Sequence, residues 1–331
     1  MPGRRRTSPR RSPRRASRSP ADGRTTPLTC PTELRLPYHG PLDADWLTSF
    51  LARRAVPGVE EVVGGMYRRS LRLPGGAGVV ELEPMDGVVS ARVWPADVGD
   101  LDLAVERCRR LLDLDSDPVA VSDVLGADRV LGSAVRSRPG LRVPGAVDGA
   151  ELAIRAVLGQ QVSVAGAATL AGRLVQACGE PLAHPRGSVT HLFPSAARIA
   201  ELDPASLGMP RSRGAAVLGL ARALASGEIV LDAGADRDLA RERLLALRGI
   251  GPWTADYIAM RALGDADAFL PTDLGVRRGL EARGLDGSPS RAARVAEAWR
   301  PYRAYAVMHL WAVAAARRRS PVQLQRRVRA E

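Results

Sequence analysis

The chain has 331 residues, enough for two domains, and 45% of them are apolar, enough for a core; no apolar stretch approaches the ~20 residues of a membrane span. Its cysteines, Cys30, Cys108 and Cys178, are scattered, which argues against a disulfide framework, a four-cysteine zinc site or an iron–sulfur cluster. The formal charge of +12 sits in the tails: residues 1–24 carry nine arginines against one acid, residues 317–331 carry six against Glu331, and the body between them is close to neutral.

A basic average therefore says little about a nucleic-acid partner, and any binding surface has to be local. The tails either add salt-sensitive attraction to phosphates or are simply solvated. Residues 1–33, rich in Arg, Ser and Pro, are expected to be disordered and lack the apolar segment of a secretory signal. Their Ser-Pro and Arg-Ser repeats suit modification, nucleic-acid binding, or a start codon upstream of the genuine one.

Residues 34–145 read as α+β. Asp43 or Asp45 can cap a helix that buries Leu47, Phe50, Leu51 and Ala55. Strand-like segments follow at 59–63, 67–73, 79–83 and 88–94, with hairpin turns at 74–76 and 86–87. A helix over 97–114 completes a small antiparallel sheet backed by helices. From 146 to 316 the pattern is all-α: helices at 149–178, 196–201, 212–226, 235–247, 252–263, 273–283, 290–299 and 302–316 with short connections. Residues 317–331 form a basic tail.

Two of these connections carry chemistry. Leu247-Arg248-Gly249-Ile250-Gly251-Pro252-Trp253-Thr254-Ala255 sets a Gly-apolar-Gly turn between two helices. Its glycines allow positive φ and close approach, and the helix start offers N–H groups and a dipole to an anion. Phe269-Leu270-Pro271-Thr272-Asp273 brings a lone carboxylate one helix later. A phosphate grip, one acid and stacking rings point to chemistry on a base taken out of a duplex. An αα-hairpin packed through its glycines is the plainer alternative.

These two segments resemble the helix-hairpin-helix and the Gly/Pro-rich loop with aspartate of the base-excision DNA glycosylases. Together with 49–56, 155–165 and 303–311, they make residues 34–316 most similar to the alkyl-purine branch, the 3-methyladenine DNA glycosylase II family. The resemblance implies hydrolysis of the N-glycosidic bond of an alkylated purine in duplex DNA. Asp273 would then stabilise the oxocarbenium-like sugar and orient water. One carboxylate suffices because the alkylated base is already a good leaving group. From its own residues, Asp273 reads equally as the N-cap of the next helix, and the two roles are compatible.

Seven of the thirteen aromatic residues lie between 247 and 316. Trp253 and Tyr257 share a helix face, and electron-rich rings would hold a flat cation by ~0.5–2 kcal/mol. The resemblance places pocket rings at Trp253, Tyr257, Trp311 and Phe50; Trp299, Tyr302 and Phe269 are expected to pack. It puts phosphate contacts at Gly249, Gly251 and the Trp253–Thr254 amides, with a possible monovalent cation on carbonyls of that turn and no other cofactor or metal. Gln161 stands where relatives carry a leucine that fills the gap left by the flipped base; otherwise it is a surface glutamine. Leu274 replaces a common tyrosine. Asp256 is a rival acid, Asp265 and Asp267 read as loop acids, and Arg277 is a possible phosphate contact.

All 48 basic residues are arginine. A strand-nicking glycosylase needs an amine to form a Schiff base, and arginine is too basic for this. The lyase lysine of relatives falls at Trp253, so a monofunctional enzyme is expected. Only Pro2, exposed by loss of Met1, offers another amine. Its expected setting is a monomer on damaged duplex DNA, cytoplasmic and nucleoid-associated, away from membranes. Alternatives are a non-catalytic hairpin module, a glycosylase/lyase, and a methyl-transfer repair protein, which would need an activated cysteine.

Overall fold

The structure, a computed structural model, describes residue 3 and residues 30–328, with side chains described up to 317 except 206 and 207. The expected disorder of the N-terminal tail falls almost wholly outside these residues.

Asp43 caps α1 (Ala44–Ala52) by accepting from Trp46 N at 3.0 Å. The strands are β1 (Thr32–Pro37), β2 (Glu60–Val63), β3 (Met66–Leu73), β4 (Gly76–Met85) and β5 (Val88–Trp94). They form one antiparallel sheet in the order β1-β5-β4-β3-β2, joined by the turns at 74–76 and 86–87. The edge strand β1 was not foreseen; its closing Pro37 is tolerated because an edge has no second partner to satisfy. Three helices back this half: α2 (Leu101–Leu112), which buries Ala104, Cys108, Leu111 and Leu112, then α3 (Pro118–Gly126) and α4 (Gly132–Ser137). The last two also escaped the periodicity reading.

The single helix expected over 149–178 is two, α5 (Gly149–Leu158) and α6 (Val164–Cys178). Gln161 takes φ +58° between them, and Ser163 caps α6 through Gly166 N at 3.0 Å. A serine that can satisfy a helix start competes with continued winding. After α6 the helical half carries an unforeseen hairpin, β6 (Glu180–Arg186) and β7 (Val189–Leu192), whose prolines disguised its strand pattern. It docks on the first sheet: Leu182, Val189 and Leu192 bury against Val79, and Gly58 O accepts from Thr190 N and His191 N. The remaining helices are α7 (Ala196–Ala200), α8 (Arg211–Ala225), α9 (Arg237–Ala246), α10 (Pro252–Ala262), α11 (Leu274–Glu281), α12 (Pro289–Ala296) and α13 (Arg303–Val328). α13 continues past the expected end at 316.

Two apolar cores result. One joins the sheet, α1 and α2 to α11–α13, so that Leu47, Phe50 and Leu82 share a cluster with Val276, Trp299 and Leu310. The other is built by α5, α6, α8, α9 and α10. The chain thus leaves its first half, builds the middle bundle and returns. A buried ion-pair network ties the halves: Arg69 meets Glu60 at 3.0 Å and Glu151 at 2.7 Å, and Arg155 meets Glu60 at 3.0 Å and Glu151 at 2.6 Å. Burial would raise the Glu60 carboxyl, but Arg155 and Arg69 hold it down at about 2. Among the described residues no helix is long and apolar enough to cross a membrane.

Candidate active site in the cleft between the cores

A cleft of about 1570 Å³ opens between the two cores, and Phe50, Gln161, Trp253, Tyr257, Asp273 and Trp311 all line it. Six expected residues from five separate stretches of chain therefore meet at one surface.

Asp273 sits at the start of α11, where the turn from Leu270 ends and helical winding begins. Its Oδ1 accepts from Val276 N at 2.9 Å, so it is the N-cap that the residues alone implied. The same oxygen accepts from Trp311 Nε1 at 2.7 Å, and Oδ2 accepts from Trp253 Nε1 at 3.1 Å. A helix start and two indole N–H groups thus hold one carboxylate in a fixed orientation. It is half-buried and faces the cleft. Such a group places negative charge without needing to reorganise when positive charge develops beside it.

The rings form two pairs around it. Trp253 and Tyr257 stack at 5.2 Å between centroids, 11° from parallel. Phe50 and Trp311 lie 6.3 Å apart at 15°, with Trp46 stacked 5.1 Å behind Phe50. Two arginines that sequence reasoning passed over also enter. Arg54, from the turn after α1, places Cζ 3.6 Å from the Phe50 centroid; Arg261 places Cζ 5.6 Å from that of Tyr257 and donates to its hydroxyl at 2.8 Å. Burial would raise the Tyr257 phenol, yet Arg261, Arg54 and Arg155 hold it below its ordinary value. No local pattern marked these arginines, since forty-eight identical basic residues offer no contrast.

The hairpin joins α9 to α10. Gly249 has φ +89°, and a Cβ there would meet Ala216 Cβ at 2.8 Å, so this position needs glycine twice over. Gly251 departs from expectation: it is extended at φ −100° and caps α10 without a side chain, and a Cβ there would enter open space. Its smallness leaves room at the helix start and does not permit a special backbone. The amides of Gly249, Gly251 and Trp253 have no hydrogen-bond partner among the described residues. Thr254 is a correction. It is buried, its N–H goes to Gly251 O, and its hydroxyl accepts from Gln160 Nε2 at 3.0 Å. With donor and hydroxyl engaged inside, it braces the turn and has no amide left for a phosphate. Gln160, unremarked in the sequence, also donates to Gly249 O at 3.0 Å and fastens the α5–α6 link to the hairpin.

Beside it, Gln161 is exposed at the tip of that link in a left-handed conformation uncommon outside glycine. Asp256, the rival acid, is engaged by Arg241 at 2.7 Å on α9. Asp265 and Asp267 pair with Arg237, Arg300 and Arg303. Arg277 donates to Gly287 O at 2.8 Å and braces a loop. Trp299 and Phe269 are buried and pack edge to face, and Tyr302 packs similarly on Tyr305. Leu274 is an exposed apolar rim residue. Among the described residues no three His, Cys, Asp or Glu side chains gather to hold a metal ion. The hairpin carbonyls of Leu247 and Gly249 each accept one hydrogen bond, which leaves a second lone pair to offer a cation, whereas Gly251 O already accepts from Thr254 N and Ala255 N.

Residues 154–303 match the family of HhH-GPD superfamily base excision DNA repair proteins, and residues 33–148 match the AlkA N-terminal domain. The chain belongs to the HhH-GPD superfamily. It is 38% identical to DNA-3-methyladenine glycosylase 2 of Escherichia coli over 83% of this chain and 95% of that one. It is 50% identical to a probable bifunctional transcriptional activator/DNA repair enzyme AlkA of Mycobacterium tuberculosis over 84% of this chain. The match spans 56% of that relative's length. The fold is shared with a 3-methyladenine DNA-glycosylase from Archaeoglobus fulgidus: TM-score 0.73 and 20% identity, covering 85% of this chain and 98% of that one.

Proposed function

We propose that the chain is a monofunctional DNA glycosylase that flips an alkylated purine out of duplex DNA and hydrolyses its N-glycosidic bond. The observation that carries this is the hold on Asp273, whose two oxygens are fixed by the indole N–H groups of Trp253 and Trp311 inside an aromatic cleft. The hairpin amides grip a phosphate through Gly249, Gly251 and Trp253, and a monovalent cation on the turn's carbonyls would add charge there. Gln161 fills the stack vacated by the base. Asp273 stabilises positive charge on the sugar as C1′–N9 breaks and receives water's proton as the oxygen bonds to C1′. The protein works as a monomer on nucleoid DNA and leaves an abasic site, because a chain without lysine has no side-chain amine to open it.

The test is base release from methylated duplex DNA by wild type and Asp273→Asn, with strand nicking scored alongside. The variant should lose at least 100-fold in single-turnover release while still binding DNA, which is the scale for removing one fixed electrostatic group. Nicking without added alkali would sink the monofunctional reading, and equal release by both proteins would remove Asp273 from the chemistry.

A further inference from the structure

The cleft carries charge of both signs. Asp273 bridges Trp253 and Trp311. Two guanidinium groups share the same aromatic lining. Arg54 Cζ lies 3.6 Å from the Phe50 centroid and 5.8 Å from that of Trp311; Arg261 Cζ lies 4.9 Å from Phe50 and 5.6 Å from Tyr257. Neither has a carboxylate within ion-pair distance among the described residues. Their hydrogen bonds go to the carbonyls of Phe50, Pro144 and Gly145 and to the Tyr257 hydroxyl. Burial pulls the Arg54 guanidinium down to about 10 and lowers Arg261 as well, outweighing the opposite pull of Tyr257 on both and of Glu60 on Arg261.

An aromatic box built only to attract a cationic base would not fill one face with resident cations. We propose that Arg54, backed by Arg261, forms the leaving-base end of the site and is a specificity-determining residue that favours excision of uncharged purine lesions. This rests on the glycosylase reading above. When C1′–N9 breaks, its electron pair goes to the purine, and the oxygen of water bonds to C1′ while the proton passes to Asp273. A ring-alkylated purine starts as a cation and leaves neutral. An uncharged purine such as hypoxanthine leaves as an anion and takes its proton from water afterwards. Guanidinium charge beside the ring stabilises the second departure and opposes entry of the cation in the first. Arg261 is locked by two carbonyls and braces the fold, whereas Arg54 reaches one carbonyl at 3.3 Å and is the residue to vary.

The experiment compares single-turnover release from duplexes carrying one hypoxanthine or one 7-methylguanine by full-length wild type, Arg54→Gln and Arg54→Lys, with melting and duplex binding checked for each. Arg54→Gln should lose at least tenfold more on hypoxanthine than on 7-methylguanine, and Arg54→Lys should recover most of that difference because it keeps the charge. Equal losses on both bases, no loss on either, or a lysine variant as selective as the glutamine one would overturn the proposal while the glycosylase reading stands. Release of neither base by wild type would overturn both.

Discussion

Trp311 reaches Asp273 because residue 275 is glycine. A Cβ at Gly275 would lie 2.5 Å from Trp311 Cδ1, 2.9 Å from its Nε1 and 3.0 Å from Asp273 Oδ1. One turn on, a Cβ at Gly279 would lie 2.5 Å from Leu310 O, so α11 and α13 are in contact along a two-glycine strip. Gly275→Ala forces the indole away while gaining about 0.5–1 kcal/mol of helix propensity. Base release should fall about 100-fold, the cost of a displacement near 1 Å in a reacting site, with melting shifted by only a few degrees. A melting loss above 10 °C with release per folded molecule intact would show that Gly275 matters for packing alone.

The two indoles should not be equivalent. Trp311 donates at 2.7 Å to the oxygen that also caps α11, and Trp253 donates at 3.1 Å to the other. Replacing either by phenylalanine keeps a ring and deletes a hydrogen bond to a charged group, worth about 1.5–3 kcal/mol. Trp311→Phe should cost ten- to a hundredfold in single-turnover rate, and Trp253→Phe less. A larger loss for Trp253→Phe would place the hold on Asp273 in the wrong indole.

Asp113 offers a pH test remote from the chemistry. Burial pushes its carboxyl up to about 6, against the pull of Val143 N, the Tyr305 hydroxyl and Arg142. The folded chain therefore binds this proton more tightly than the unfolded chain. Asp113's contribution is favourable at low pH and is lost as pH rises from about 4 through about 6. Asp113→Asn keeps an oxygen for both Val143 N and Tyr305 OH, which share Oδ2, and asparagine tolerates the local φ of +54°. Its stability relative to wild type should grow over that window, by at most about 3 kcal/mol, and stay level above it. Urea unfolding at pH 4.5 and pH 7.5 measures this; an advantage that grows toward low pH would reverse the assignment.

The readable features were those whose causes are local. Asp43 and Asp273 act as caps because their side chains reach an amide three residues ahead. The hairpin turns, the heavy break at Gly249 and the strand alternation from 59 to 94 likewise depend on neighbours in sequence. The misses have opposing local signals. The break at 159–163 lies inside an apolar periodicity that continues across it, and β6 hides behind two prolines. Thr254 looked like a phosphate contact because a motif records residue types and not which amides are already engaged.

By itself the sequence determined the two fold types and the absence of lysine, since each follows from composition or from local periodicity, while the acid and the rings were named through the family resemblance. Only the tertiary structure decided that α11–α13 return to the N-terminal core, that Trp253 and Trp311 hold opposite oxygens of Asp273, and that Arg54 and Arg261 face the same rings. These depend on contacts between residues more than two hundred positions apart, such as Phe50 against Arg261. Burial of apolar faces sets those distances, and no local spacing records which faces will meet.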